Sequence, residues 1–253
     1  MNQTHEDNAA YITAMMKRFR LVDMREQYPS LIEEAEQTGM GYETFLYRLI
    51  KIEETGKLRR RQERLTDAAG FETMKYLEDI DYSFNPTLNA SKINELGRLD
   101  FLDAHENVII IGPPGVGKSM IATGIGIRAC NAGKKVLFVN AQEFIEQLHK
   151  DMKDGCLKET LEALERIQLL IIDELSYLTM DKERESIFFQ IIRQRYEKSS
   201  LIITTNLPMG KWDELFTGKI AASAILDRLV HHCHVLTITG DSYRVKGNEN
   251  SQR

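Results

Sequence analysis

The stretch Val108–Ser119, VIIIGPPGVGKS, decides the reading of this chain. Four β-prone apolar residues, Val108 to Ile111, run into a glycine-rich turn. The turn matches G-x-x-x-x-G-K-[ST] from Gly112 to Ser119, and a helical pattern follows. Strand, loop and helix in that order are the context a P-loop needs. Consecutive backbone N–H groups must point inward to hold phosphate oxygens. Gly112, Gly115 and Gly117 remove the Cβ atoms that would block that approach. Pro113, Pro114 and Val116 complete the loop and Met120 follows it into the helix, so these residues are counted with the phosphate site. The helix N-terminus adds partial positive charge. Lys118 is placed to reach the β- and γ-phosphates, and the Ser119 hydroxyl to ligate Mg²⁺.

Leu169–Glu174, LLIIDE, reads as the second half of such a site. A buried apolar strand would deliver Asp173 to its C-terminal tip, where ligands bind in parallel sheets. Asp173 would hold Mg²⁺ through water. Glu174 would polarise the attacking water as a general base. The alternative is an acidic strand end facing solvent. The next strand, LIITTN, ends in Asn206, which can orient the lytic water; Thr205 is the neighbouring option, and an Asx turn before Pro208 is the local alternative. A helix over 221–231 contains AILDRL, and Arg228 is the expected arginine finger, a cation often supplied by a second subunit. A surface pair with Asp227 or Asp213 is its plain alternative. His231, His232, Cys233 and His234 suggest a metal cluster at first glance. Consecutive residues at a helix end point in different directions, so they read as structural.

The rest of the composition bounds the class. The chain has 253 residues, 42% hydrophobic and 28% charged, with a net charge of −5. Those are values of an ordinary globular protein, and the net charge excludes a polycation; nucleic-acid binding would need local patches or assembly. No apolar run is long enough to span a bilayer. MNQTHEDNAA is polar and acidic, unlike a secretory signal. Cys130, Cys156 and Cys233 are scattered, which points to reduced thiols in a cytoplasm.

Residues 1–76 read as a helical domain. Ile12, Met15, Met16 and Phe19 recur at helical spacing. Pro29 and Ser30 are expected to open a second helix that Gly39 closes. A third helix runs from Tyr42 towards Ala69, with Phe45, Leu46, Leu49 and Ile52 inward. Its end, KLRRRQER, sets Lys57, Arg60, Arg61 and Arg64 in one stripe, either a phosphate-backbone contact or a solvated face. Residues 77–92 read as a linker, after which Ser91 would cap a helix. From Val108 strands are expected at 108–111, 135–139, 169–172, 201–204 and 235–238. Helices are expected at 118–131, 141–152, 157–166, 183–198 and 221–231. Continuous apolar strands alternating with helices predict an α/β domain over 77–253, a parallel five-stranded sheet covered on both faces. The stretch GDSYRVKGNENSQR leaves no room for a helical lid; Arg244 and Lys246 would contact a phosphate in its place or lie in a tail.

ENVIIIGPPGVGKSMIA, LLIIDELSYL, RYEKSSLIITTN, AILDRLVHHCHVL and GDSYRVK together resemble the IstB-like ATPases, transposition helper proteins of bacterial insertion sequences and relatives of DnaC-type helicase loaders. The resemblance covers nearly the whole chain, including YLEDIDYSFNPTLN. Its P-loop and Walker B motifs are generic; AILDRLVHHCHV and SYRVK are more specific. Ser119 stands where many members have Thr, an equivalent Mg²⁺ ligand. The resemblance implies an AAA+ ATPase core of the initiator and helicase-loader group. It implies ATP and Mg²⁺ as cofactors and self-assembly on duplex DNA, with ATP sites at subunit interfaces. It also implies a partner transposase of the IstA integrase type and a bacterial cytoplasmic location. In such a protein Lys118 and Ser119 serve phosphate and Mg²⁺, Asp173 and Glu174 form Walker B, Asn206 is the sensor and Arg228 the finger in trans. The cations expected to meet DNA are the 57–64 stripe with Lys150, Lys153 and Lys158. A DnaC-like replicative helicase loader would share every ATPase residue and differ in the partner of its N-terminal domain. A small-molecule phosphotransferase would need an acceptor lid, and a purely structural DNA-binding module would not need Glu174.

Overall fold

The computed structural model describes residues 2–177, 180–217, 219–240, 242 and 243. The chain divides into two compact units, Met1–Arg64 and Leu65–Arg253. The division therefore lies upstream of the 76/77 position read from the sequence. The reason is packing: Ala69 is fully buried in the core of the second unit, with Leu65 and Phe71 against it. The Ala69 carbonyl accepts from the Phe138 N–H at 2.7 Å, tying this segment to the sheet.

The first unit holds helices α1 (Asn2–Arg18), α2 (Val22–Thr38) and α3 (Tyr42–Asp67), the last of which runs on into the second unit. Its small core is Tyr28, Leu31 and Leu49, with Met16, Met24, Phe45 and Ile52 packed around it. Helix α2 starts at Val22 and carries Pro29 inside it, so Pro29 does not open the helix. An internal proline forfeits one backbone bond. Tyr28 and Leu31, buried on either side, hold the helix through that gap. Gly39 ends α2 at φ 62°, the left-handed cap that glycine takes without strain. Leu46, expected on the apolar side of α3, is 55% exposed.

The second unit is built on a five-stranded parallel sheet in the order β2-β3-β4-β1-β5. The strands are β1 (Asn107–Ile111), β2 (Val136–Asn140), β3 (Leu169–Asp173), β4 (Ser200–Thr205) and β5 (Cys233–Thr237). Around them lie α4 (Ala90–Leu96), α5 (Asp100–Asp103), α6 (Lys118–Asn131), α7 (Ala141–Asp154), α8 (Leu157–Leu164), α9 (Lys182–Arg195) and α10 (Lys219–Val230). Period-two alternation sorts the strand residues between two cores. Val108, Ile110, Leu169, Ile171 and Ile202 pack beneath α6. Ile109, Leu170, Ile172, Leu201 and Ile203 pack beneath α7, α9 and α10. Both faces are covered, as parallel strands require.

Residues 77–92 are not a free linker. Leu77, Ile80 and Leu88 are buried in the α6-side core. Asn89, not Ser91, caps α4 by accepting from the Lys92 N–H at 2.9 Å. The order matters for chemistry: β4 lies between β3 and β1, so the C-terminal tips of all three meet at one place. No helix among the described residues is long and apolar enough to cross a membrane.

Candidate nucleotide-binding site

The tips of β1, β3 and β4 border a cavity of about 570 Å³ lined by Pro114, Gly115, Gly117, Lys118, Ser119, Met120, Asp173, Glu174 and Asn206. The phosphate loop joins β1 to α6. Gly115 at φ 80° and Gly117 at φ 95° hold the loop in left-handed conformations, which are costly to a residue with a Cβ. The absent Cβ of Gly112 would lie 2.5 Å from the Ile238 carbonyl oxygen. Val116 is buried in the core and anchors the loop from below. Pro113 and Pro114 are exposed at its crest. Lys118 is buried, and its Nζ donates to the Gly112 and Pro113 carbonyls, both at 2.9 Å.

Asp173 ends β3, and its Oδ1 accepts from Ser119 Oγ at 3.0 Å. It also accepts from the buried Thr204 hydroxyl of the neighbouring strand. The fit to Mg²⁺ is one of chemistry: a carboxylate and a hydroxyl stand together beside a cradle for phosphate oxygens, and hard oxygen donors suit that ion. Asp173 and Ser119 are the residues that would hold it.

Glu174 leaves the strand at φ 60°. Its N–H donates to Thr204 Oγ1 at 2.9 Å, which holds the chain in this left-handed turn. A non-glycine residue pays about 1–2 kcal/mol for that conformation. The turn makes Glu174 line the cavity. Asn206 lines the cavity as well, and its backbone N–H donates to Ser176 Oγ at 3.1 Å. Thr205 is fully buried and its hydroxyl accepts from the Leu207 N–H at 3.1 Å, a bond that closes the local turn. Thr204 and Ser176 were not singled out by sequence. Thr204 looks like any β-branched strand residue until its register beside Asp173 is known. Glu72, Thr73, Lys75 and Asn140 also line the cavity and carried no motif; Tyr243, of the SYRVK stretch, lines it as well.

Arg228 is half-buried on α10 and is not among the residues lining its own chain's cavity. Its Nη1 donates to the Ala224 carbonyl at 2.8 Å, and its guanidinium lies 5.2 Å from the centre of the Phe189 ring. Among the described residues neither Asp227 nor Asp213 forms an ion pair with it.

The histidine run divides. His234 Nε2 lies 2.7 Å from Glu106 Oε2 and its Nδ1 3.0 Å from Lys92 Nζ, a structural network. Burial pushes the Cys233 thiol up to about 12. His231 and His232 are exposed and lie with Glu197, their ligand-type atoms within 4.8 Å of one another. Arg244 and Lys246 lie outside the described residues.

The basic stripe is not a uniform surface. Arg60 donates to Asp23 and, at 3.2 Å, to Glu53 Oε1. Both carboxylates are buried, at 7% and 4% exposure. Gly56 permits this arrangement, since a Cβ there would lie 2.0 Å from Asp23 Cγ. Lys57 lies 3.8 Å from Glu53, and Arg59 3.7 Å from Asp23. Arg60 is thus engaged inside the first unit, because two buried carboxylates need a cation. Arg61 and Arg64 are exposed. So are Lys150, Lys153 and Lys158, the last 3.8 Å from Glu162.

The hydrogen bond from the Arg60 guanidinium holds the Asp23 carboxyl below its ordinary value, against opposing desolvation. A depressed carboxyl contributes stability that is present above the unfolded value near ~3.9 and is lost as pH falls through the lower folded one. Arg60→Ala should therefore lower the unfolding midpoint of the first unit at pH 7, and the gap to wild type should close as pH drops below about 4. Urea unfolding at both pH values checks this; equal midpoints at pH 7 would refute the clamp.

Residues 14–251 match the family model described as IstB-like ATP binding protein. A relative from Pseudomonas aeruginosa, named as an ATP-binding protein of the insertion sequence IS21, is 37% identical over 93% of this chain and 89% of its own length. One from Geobacillus stearothermophilus, named likewise for IS5376, is 34% identical over 90% of this chain and 91% of its own. Among solved structures, DnaI is similar at a TM-score of 0.57 and 20% identity, covering 65% of this chain and 91% of that one. The last is a likeness of fold. The chain belongs to the IstB-like ATP binding protein family, and is an ATPase with the AAA+ fold.

Proposed function

We propose that this chain is the ATP-driven helper of an insertion sequence: it assembles on duplex DNA with ATP, remodels that DNA and recruits the partner transposase, an IstA-type integrase. Hydrolysis then resets the assembly. The observation that carries this reading is the incompleteness of the site. Lys118, Ser119, Asp173, Glu174 and Asn206 surround one cavity, while Arg228 does not line it. A neighbouring subunit's Arg228 would complete it. Insertion-sequence names among the relatives support the transposition setting.

The geometry supports these roles. The loop N–H groups and Lys118 would bind the phosphates. Ser119 and Asp173 would hold Mg²⁺, which stabilises charge on the transferring phosphoryl group when bound. Glu174 would take the proton of the attacking water, and Asn206 would orient that water. Arg228 in trans would stabilise the developing charge. Because ATP then prefers the assembled state, loss of its γ-phosphate removes the bias towards assembly. Duplex DNA would be held through its phosphates by exposed cations such as Arg61, Arg64, Lys150, Lys153 and Lys158, without a base code.

The test is duplex binding with ATP and with ADP. Tight, cooperative binding with ATP alone, longer-lived in Glu174→Gln, is the expected result. Absence of duplex binding with either nucleotide would overturn the transposition reading and leave a helicase loader as the explanation.

A further inference from the structure

The segment after β5 folds back on the phosphate loop. The Ile238 N–H donates to the Ile111 carbonyl at 2.7 Å, and the Tyr243 N–H to the Gly115 carbonyl at 2.9 Å. Ser242 stands where a side chain on Gly115 would be: a Cβ there would meet Ser242 Oγ at 2.0 Å. The Tyr243 ring is itself held from the other side. It stacks on Phe84 with centroids 3.7 Å apart and planes at 25°, and its hydroxyl donates to the Asp81 carbonyl at 2.7 Å. Two side chains of the same stretch grip the segment one turn earlier. Asn85 Nδ2 and Thr87 Oγ1 donate to the Thr239 carbonyl at 2.8 and 2.7 Å. Asn85 is 3% exposed. The Asp81 carboxylate, accepting from Ser83 and from the Phe84 N–H, shapes the turn that presents the Phe84 ring.

We infer that Tyr243 is a positioning residue for the phosphate loop: stacked on Phe84 and bonded to Gly115, it braces the loop in its phosphate-accepting shape. The need for a brace is physical. A loop with three glycines is the most freely jointed kind of backbone, and each must be ordered before phosphate can be held. A loop ordered in advance avoids that cost on binding. The brace acts on the loop's shape and not on the attacking water, so its loss falls on nucleotide affinity more than on the chemical step.

This inference rests on the ATP-site reading above, and the test separates the two. Binding of a fluorescent ATP analogue and steady-state hydrolysis are measured for wild type, Tyr243→Ala, Tyr243→Phe, Phe84→Ala and Lys118→Ala. Tyr243→Ala should raise Kd and KM about tenfold, as loss of one stacking contact and its hydrogen bond would, with kcat within about threefold. Tyr243→Phe, which keeps the stack and the backbone bond, should recover most of that affinity. Phe84→Ala should match Tyr243→Ala, and the double variant should be no worse than either, because both remove one brace. Wild-type affinity in Tyr243→Ala, with binding lost in Lys118→Ala, overturns the brace and leaves the ATP site standing. A wild-type protein that binds no nucleotide overturns both. Should Tyr243→Ala fold poorly, hydrogen exchange on the unaltered protein decides: the ATP analogue should slow exchange over 83–87, and unchanged exchange there overturns the inference.

Discussion

Replacing Glu174 by Gln will lower ATP turnover by about 10²–10⁴-fold, the usual contribution of a general base, while ATP affinity stays within about threefold of wild type. The separation follows from where Glu174 sits. It lines the cavity at the end of β3, but the loop N–H groups, Lys118 and the Ser119–Asp173 pair surround the phosphate cradle without it. Glutamine keeps the size of the side chain and leaves the bond from the residue 174 N–H to Thr204 untouched. Only the capacity to accept a proton is lost. Single-turnover hydrolysis beside equilibrium binding measures the two separately. A fall of less than about tenfold would move the base elsewhere, since a positioned base is worth more than that. Parallel loss of affinity would mean that Glu174 holds the loop instead of the water.

The parts of this site legible in the sequence are those whose chemistry is written in consecutive residues. Gly112–Ser119 needs its glycines and lysine in one turn, and LLIIDE needs an apolar strand with acids at its tip. The strand expected at 108–111 is Asn107–Ile111, and that at 169–172 is Leu169–Asp173. What the sequence hid depends on distant pairs. Arg60 looks like a surface cation because its partner Asp23 is 37 residues away and on another helix. Thr204 serves Asp173 across a strand pair, a relation that appears only with the sheet order. Residues 77–92 look like a linker because their buried residues, Leu77, Ile80 and Leu88, follow neither period. They fill gaps beneath α6 as single apolar pegs, and pegs leave no rhythm to detect. Pro29 misleads for the opposite reason: its local signal is strong, and tertiary burial overrides it.

Lys118→Ala should remove ATP binding almost entirely, weakening it by about 10²–10³-fold. Two charge-assisted bonds at about 1.5–2 kcal/mol net each give about 3–4 kcal/mol, and each 1.4 kcal/mol is tenfold. The ammonium stands at the base of the loop, buried and pointed at the Gly112 and Pro113 carbonyls at 2.9 Å. Those carbonyls orient the ammonium beside the cavity, so a phosphate meets a charge already in place and partly stripped of water. Lys118→Arg should do nearly as badly. A guanidinium is a flat fork, wider than an ammonium, and it cannot sit between two carbonyls 2.9 Å from one compact donor. Titration with ATP and with ADP separates the contributions. If Lys118 serves the β- and γ-phosphates, both nucleotides lose affinity and ATP loses more. Equal losses for ATP and ADP would place the ammonium on the β-phosphate alone, and the task of sensing the γ-phosphate would fall to Asn206 and, in the proposed assembly, to a second subunit's Arg228.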